Sequence, residues 1–170
     1  MEKRDLYDIN RNLTGETIYK GDPIPPNKYI IVVLVFIQNS KGDFLIQKRS
    51  IQKGGKYAST GGHPKSGETS IQGICSEIRE EIGLMVTENE LELIYSGRQD
   101  TEHVFFDIYY LKKDFCIEDL TSQKEEVDFV EWVSIKKIKQ LINDGLFFKN
   151  HAEEVYRMIN IFMKRGVYLD

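Results

Sequence analysis

The stretch "SEIREEIGL", Ser76 to Leu84, puts three glutamates at spacings of three and four residues. On a helix, Glu77, Glu80 and Glu81 then share one face and repel, at a cost of a few tenths of a kcal/mol per like-charged pair. Arg79 lies two positions from both Glu77 and Glu81, so it cannot stand between them. A solvated acidic face is the plainer reading of three glutamates alone. A divalent-cation site is the sharper one, because a hard cation takes oxygen ligands and turns the repulsion into attraction. The preceding "TGGHPKSGE" favours the second reading. It supplies Gly61 and Gly62, which let backbone approach an ion or phosphate closely, and a further carboxylate, Glu68.

These residues need a helix and a rigid support. The spacing predicts a helix over about Thr69 to Ile82. Thr69 and Gln72 form a capping box and Gly83 is the stop. Ile71, Ile74, Cys75, Ile78 and Ile82 make its apolar stripe. Before it, "YIIVVLVFIQ" reads as a buried strand, "NSKGD" as a hairpin turn and "FLIQKRS" as the returning strand. After it come strands in "LELIYSGR", "HVFFDIYYLKK" and "DFVEWVSI", then amphipathic helices over about Ile135 to Asn143 and Ala152 to Lys164. Strands and helices mix without a βαβ rhythm, so the fold class is α+β rather than doubly wound.

The region Gly62 to Leu84 resembles the Nudix box, G-x5-E-x7-R-E-U-x-E-E-x-G-U, with U an aliphatic residue. Gly62 is followed after five residues by Glu68, and after seven more by Ser76, Glu77, Ile78, Arg79, Glu80, Glu81, Ile82, Gly83 and Leu84. The one departure is Ser76, where the box has arginine. A pattern with this many fixed points is specific. The hairpin ending in "LIQKRS" and the segment Glu126 to Trp132 also resemble the family. The resemblance implies a Nudix fold, a mixed β-sheet sandwiched between α-helices. It implies one domain: an N-terminal extension over 1–28, a core over about 29–146 and a C-terminal helix in 147–170.

It further implies a hydrolase that cleaves the diphosphate of a nucleoside diphosphate linked to another moiety, or a related organic diphosphate, with Mg²⁺ or Mn²⁺ as cofactor. Glu77, Glu80 and Glu81 take the part of metal ligands, Gly62 that of a carbonyl ligand, and Glu68 that of a supporting acid. The catalytic candidates are Glu81, Glu77, Glu80 and, on a later loop, Glu126. The family's arginine holds a catalytic glutamate, and Ser76 is too short to do so; the expectation is weakened hydrolysis unless another basic residue reaches in. Lys48, Arg49, Arg98 and His63 are the substrate-binding candidates. Two rivals remain. One is an isopentenyl-diphosphate isomerase-like enzyme, against which Gly61 stands where those enzymes carry cysteine. The other is a non-catalytic ligand-binding protein of the same fold.

Composition sets the outer bounds. The 170 residues carry a net charge of −4, which argues against nucleic acid polymers and anionic membranes as partners. No apolar run approaches the roughly 20 residues of a membrane span. Two cysteines, Cys75 and Cys116, and a polar N-terminus predict a reducing, cytoplasmic setting. The expected partner is a small-molecule diphosphate, and the polar extension could pair with a second copy in a homodimer.

Overall fold

The computed structural model describes residues 1–170. Two strands, β1 (Lys3–Tyr7) and β2 (Leu13–Tyr19), form an antiparallel hairpin, so the N-terminal extension is stranded. The remaining strands are β3 (Ile30–Gln38), β4 (Phe44–Arg49), β5 (Tyr57–Ala58), β6 (Thr60–Gly62), β7 (Leu91–Gln99), β8 (Val104–Lys112) and β9 (Val127–Val133). They make one mixed sheet of order β5-β4-β3-β8-β7, with β6 paired to β3 and β9 to β4. At its centre β3 runs parallel to β8, from Ile30 opposite Val104 to Gln38 opposite Lys112. The short strands β5 and β6 lie in the glycine-rich connection between β4 and the box helix.

Three helices cover the sheet: α1 (Ser70–Ile82), α2 (Ile135–Asn143) and α3 (Lys149–Lys164). The α1 capping box forms as the sequence predicts, with Thr69 accepting from the Gln72 amide and Gln72 from the Thr69 amide. Gly83 closes the helix at φ 73°, a left-handed conformation that side chains disfavour. Helix α3 begins three residues before the expected Ala152, and its N-cap, Phe148, offers no capping side chain.

Strand alternation splits the core. One face of β3 and β8 buries Val33, Val35, Ile37, Phe105 and Tyr109 against Ile74, Ile78 and Ile82 of α1. The other buries Leu34, Phe36 and Ile108 against α2 and α3. Ile74, Ile78 and Ile82 are completely buried, and each contributes about 1.5–3 kcal/mol. Cys75, at the stripe's edge, is only half-buried, so it is not a full core residue. No helix is long and apolar enough to cross a membrane.

The β3–β4 hairpin splays beyond its turn. Only Gln38 and Phe44 pair directly. Further along, β3 takes β6 as neighbour while β4 takes β9 and β5. The opening between β4 and β6 is where the second half of α1 presents Glu77 and Glu81.

Candidate active site

A carboxylate fills that opening. Glu81 is 6% exposed, and its Oε2 accepts from Gln47 Nε2 on β4 at 3.2 Å and from the Gly61 amide on β6 at 3.3 Å. One turn earlier, Glu77 Oε1 accepts from the His63 amide at 3.0 Å. Neither carboxylate has a cationic partner. Burial, then the proximity of Glu77, pushes the Glu81 carboxyl up to about 8. Burial raises Glu77 to about 7, with Glu80, Glu2 and Glu126 adding repulsion and the His63 amide opposing it. Gln47 Oε1, beside this pair, is buried without any hydrogen-bond partner.

The pair stands at the end of a cleft of about 820 Å³. Val32, Leu34, Phe106 and Ile108 contribute its apolar lining. Cations from several elements also line it: Arg4 and Lys20 from the hairpin, Arg49 and Lys53 after β4, Arg98 on β7, Lys149 and Arg157 on α3. His63 and His151 lie in the wall. Burial holds both imidazoles neutral down to about 4, with help from Arg4 and Lys20 at His63 and from Arg49 at His151. Arg157 lies over the Tyr95 ring at 4.3 Å and is held by Glu154 at 2.8 Å.

Of the residues singled out from the sequence, Gly62, His63, Glu77, Glu81, Arg49, Arg98 and Glu126 line this cleft. Arg49 packs over the Phe148 ring at 5.1 Å and has no carboxylate partner; Arg98 is paired with Asp100 at 2.7 Å. Glu126 is paired with Lys53 at 3.1 Å. Three residues lie elsewhere. Lys48 donates to the Gly55 carbonyl and lies over Tyr57, because strand alternation turns it away from the face of Gln47 and Arg49. Glu80 is ion-paired with Lys65 outside the cleft. Glu68 borders a shallow groove on the outer side of α1 with Cys75, Ser76 and Arg79.

There Ser76 is not idle. Its Oγ donates to Glu68 Oε1 at 2.6 Å, while the Lys65 amide donates to Glu68 Oε2 at 2.8 Å. The hydroxyl thus reaches Glu68, the supporting acid of the box, and none of the catalytic candidates Glu77, Glu80 and Glu81; Arg79 forms no ion pair.

The two glycines before the site have steric causes. A Cβ on Gly61 would meet the Val33 carbonyl oxygen at 2.5 Å, since Gly61 pairs with Leu34 in the sheet. No cysteine fits there without backbone movement, which sets this chain apart from the isomerase pattern. A Cβ on Gly62 would meet Glu77 Oε1 at 2.2 Å, so the absent side chain leaves the space the carboxylate occupies.

Sequence reasoning missed Gln47, Arg4, Lys20 and the α3 residues of the cleft. For Gln47 a signal existed: it interrupts the apolar run of "FLIQKR". The others depend on tertiary placement.

The chain is thus a mixed sheet between helices, with Glu77 and Glu81 of the box in a cleft of mixed charge. The Nudix domain family model matches residues 28–154, and the chain belongs to that family. It is 37% identical over 151 residues to an uncharacterized Nudix hydrolase of Listeria monocytogenes, covering 86% of this chain and 88% of the relative. Its fold is similar to that of DR0079 from Deinococcus radiodurans, with a TM-score of 0.75 at 24% identity over 92% of this chain and 98% of that one. It is also similar to the Nudix domain of Shewanella oneidensis NrtR, solved with ADP ribose, with a TM-score of 0.61 at 14% identity over 82% and 89% of the two chains. The protein is a Nudix hydrolase, of the kind that acts on pyrophosphate-type substrates.

Nudix enzymes generally use a divalent metal. No three His, Cys, Asp or Glu side chains are gathered into a cage. What is present is the buried Glu81 and half-buried Glu77 carboxylates without counter-charge, the unpartnered Gln47 Oε1 and a glycine-lined approach. That set fits Mg²⁺, which is commonly held by one or two carboxylates, waters and substrate phosphate oxygens rather than by an all-protein cage.

Proposed function

We propose that this protein is a single-domain, Mg²⁺- or Mn²⁺-dependent hydrolase of an organic diphosphate, with a nucleoside diphosphate linked to another moiety as the leading substrate class. One observation carries the reading: buried Glu81 and half-buried Glu77 stand together without a counter-cation in a cleft where Arg49 and Lys149 also lack a carboxylate partner, while most of its other charges are paired. Two ionised carboxylates in that setting are stable only with a cation beside them. A diphosphate brings its own negative charge, so Glu77 and Glu81 together with the arginines and lysines of the cleft are complementary to a metal–diphosphate pair rather than to either alone.

In this reading Glu77 and Glu81 hold the cation, with the Gly62 carbonyl as a further oxygen donor. When bound, the cation lowers the pKa of a coordinated water and offsets charge on the phosphoryl oxygens. Gln47 and the Gly61 amide orient Glu81, and the His63 amide orients Glu77. Glu126 is the candidate base outside the box; Lys53 keeps its carboxyl placed at the cleft wall. Arg49 and Arg98 bind anionic oxygens of the substrate, and neutral His63 adds no charge to the wall. Glu80 and Glu68 support the helix and loop from outside, through Lys65 and Ser76. The ADP ribose bound by the NrtR domain supports including nucleoside diphosphate sugars among the substrates to assay.

The deciding assay offers sugar nucleotides, dinucleotides, nucleoside triphosphates and isoprenyl diphosphates to wild type and Glu81→Gln, with and without Mg²⁺. Turnover of at least one diphosphate only with metal, and its loss in Glu81→Gln, is the expected result. Binding without turnover in both proteins would sink the reading.

A further inference from the structure

Among the cations of the cleft, three come from outside the stretch matched by the family: Arg157, just past its end on α3, and Arg4 and Lys20, from the hairpin segment that precedes residue 28. That hairpin is fastened at three places. Near its open end, Asp5 Oδ1 accepts from Ser66 Oγ at 2.5 Å and Asp5 Oδ2 from the Gly67 amide at 2.8 Å, while the Lys3 carbonyl accepts from the Ser66 amide at 2.9 Å. It is thereby tied to the loop that runs from Gly62 to α1. In its middle, Tyr7 and Tyr29 exchange backbone hydrogen bonds at 2.8 and 2.9 Å. At its turn, Arg11 pairs with Asp107, which is 2% exposed and also accepts from Ser96 and Ser70. The hairpin is a fixed wall, not a loose extension.

Alternation along β1 places Arg4 on the same face as Leu6. Leu6 is buried with Ile30 and Val104, and Val32 packs against that cluster; Val32 and Val104 also line the cleft. Leu6 thus pins the residue two positions before it at the cleft wall. Arg4 is only 12% exposed, yet it is poorly neutralised. Its one hydrogen bond and ion pair is Nε to Glu2 Oε1 at 3.4 Å, and neither Nη group has a hydrogen-bond partner in the protein. Lys20 is 4.0 Å from the other oxygen of Glu2. A nearly enclosed guanidinium with its fork unused is the side chain suited to grip a phosphate bidentately.

We propose that Arg4, seconded by Lys20, is a substrate-phosphate-binding residue supplied by the N-terminal hairpin, gripping the diphosphate from the hairpin's side of the cleft. The inference rests on the diphosphate reading above. It adds that specificity for a diphosphate depends on a segment outside the family's shared domain, and that Glu2 holds the guanidinium in reserve until the anion arrives.

The test measures binding without turnover, so that it stands apart from the hydrolase assay. Methylenediphosphonate, whose P–C–P bridge is not hydrolysed, is titrated calorimetrically with Mg²⁺ into the full-length protein. Arg4→Gln should weaken binding about tenfold or more, and Arg4→Lys by a smaller factor because the bidentate geometry is lost but the charge kept. Lys41→Gln, which removes the same charge from an exposed turn, should leave affinity within twofold. Glu2→Gln should tighten binding, an outcome a merely structural ion pair would not produce. With whichever substrate is turned over, Arg4→Gln should raise KM more than it lowers kcat. The proposal is overturned if Arg4→Gln binds within twofold of wild type, or if wild type does not bind the probe. Should Arg4→Gln fail to fold, Arg4→Lys and Glu2→Gln decide: affinities equal to wild type in both overturn it. A protein that binds the probe through Arg4 but turns over nothing would uphold this inference while removing the hydrolase reading.

Discussion

Helix α1 and the loop before it carry two pairs of box glutamates in opposite circumstances. The outer pair, Glu68 and Glu80, is satisfied within the protein: Glu68 by the Ser76 hydroxyl and the Lys65 amide, Glu80 by the Lys65 ammonium. The inner pair, Glu77 and Glu81, is buried more deeply and receives only neutral donors. Sequence spacing treats Glu77, Glu80 and Glu81 alike. The fold separates them, because one edge of the helix fits into the splay between β4 and β6 and the other stays outside. Burial without neutralisation is costly in a finished structure. In the function proposed above, that burial beside the orphaned Gln47 Oε1 is where a cation completes the protein.

The contrast can be broken in order of expected effect. Glu81→Gln should lower kcat by about 10²-fold or more, as loss of a group that holds the metal and water does, read by steady-state hydrolysis. The same substitution should raise the melting temperature of metal-free protein at pH 8, because an amide need not ionise in the buried position. Glu80→Gln should cost at least tenfold less activity than Glu81→Gln; equal losses would show that the outer glutamate moves into the site on metal binding.

The second break uses pH. Unfolded, both inner carboxyls titrate near 4.5; folded and metal-free, near 7 and 8. Between these values the folded state holds more protons, so stability declines as pH rises through the window. The buried histidines act oppositely, losing stability as pH falls from 6.5 towards about 4. The interval from 6.5 to 8 therefore isolates the carboxyls. Melting temperatures of EDTA-treated protein should fall across it, and Mg²⁺ should restore more at pH 8 than at pH 6.5. A flat metal-free profile would contradict the raised carboxyls.

The smallest effects belong to the outer pair. Ser76→Ala should cost about 0.5–1.5 kcal/mol in denaturant unfolding, the worth of its bond to Glu68, with turnover within about threefold of wild type. Ser76→Arg should likewise change turnover by less than about threefold, since Glu68 already has partners. A large gain in activity on introducing arginine would show that the serine truly limits the chemistry.

These distinctions show what could be read in advance. The box helix was legible to its caps, because Thr69, Gln72 and Gly83 act locally. Helix α2 was legible for the same reason, running Ile135–Asn143 from a Ser134 cap. The start of α3 was not, since Phe148 carries no capping group to announce it. Gly62, Glu77 and Glu81 were recognisable through spacing. Lys48 was misjudged because a strand's alternation was not applied to its last residues. Gln47, Arg4 and Lys20 reach the site only through pairings between distant segments, which no local pattern encodes.

The parallel pairing of β3 with β8 has a consequence for how the chain is made. Ile30 finds its partner in Val104, so the centre of the sheet closes only after most of the polypeptide has been synthesised. Until then "YIIVVLVFI" is the most apolar segment to have emerged, with an unpaired edge along its length. The hairpin's clamp waits as well, because Arg11 needs Asp107 from that same late strand. Truncated or stalled chains that end before β8 should therefore associate through β3 and depend on chaperones, whereas the completed chain seals strand, clamp and cleft together.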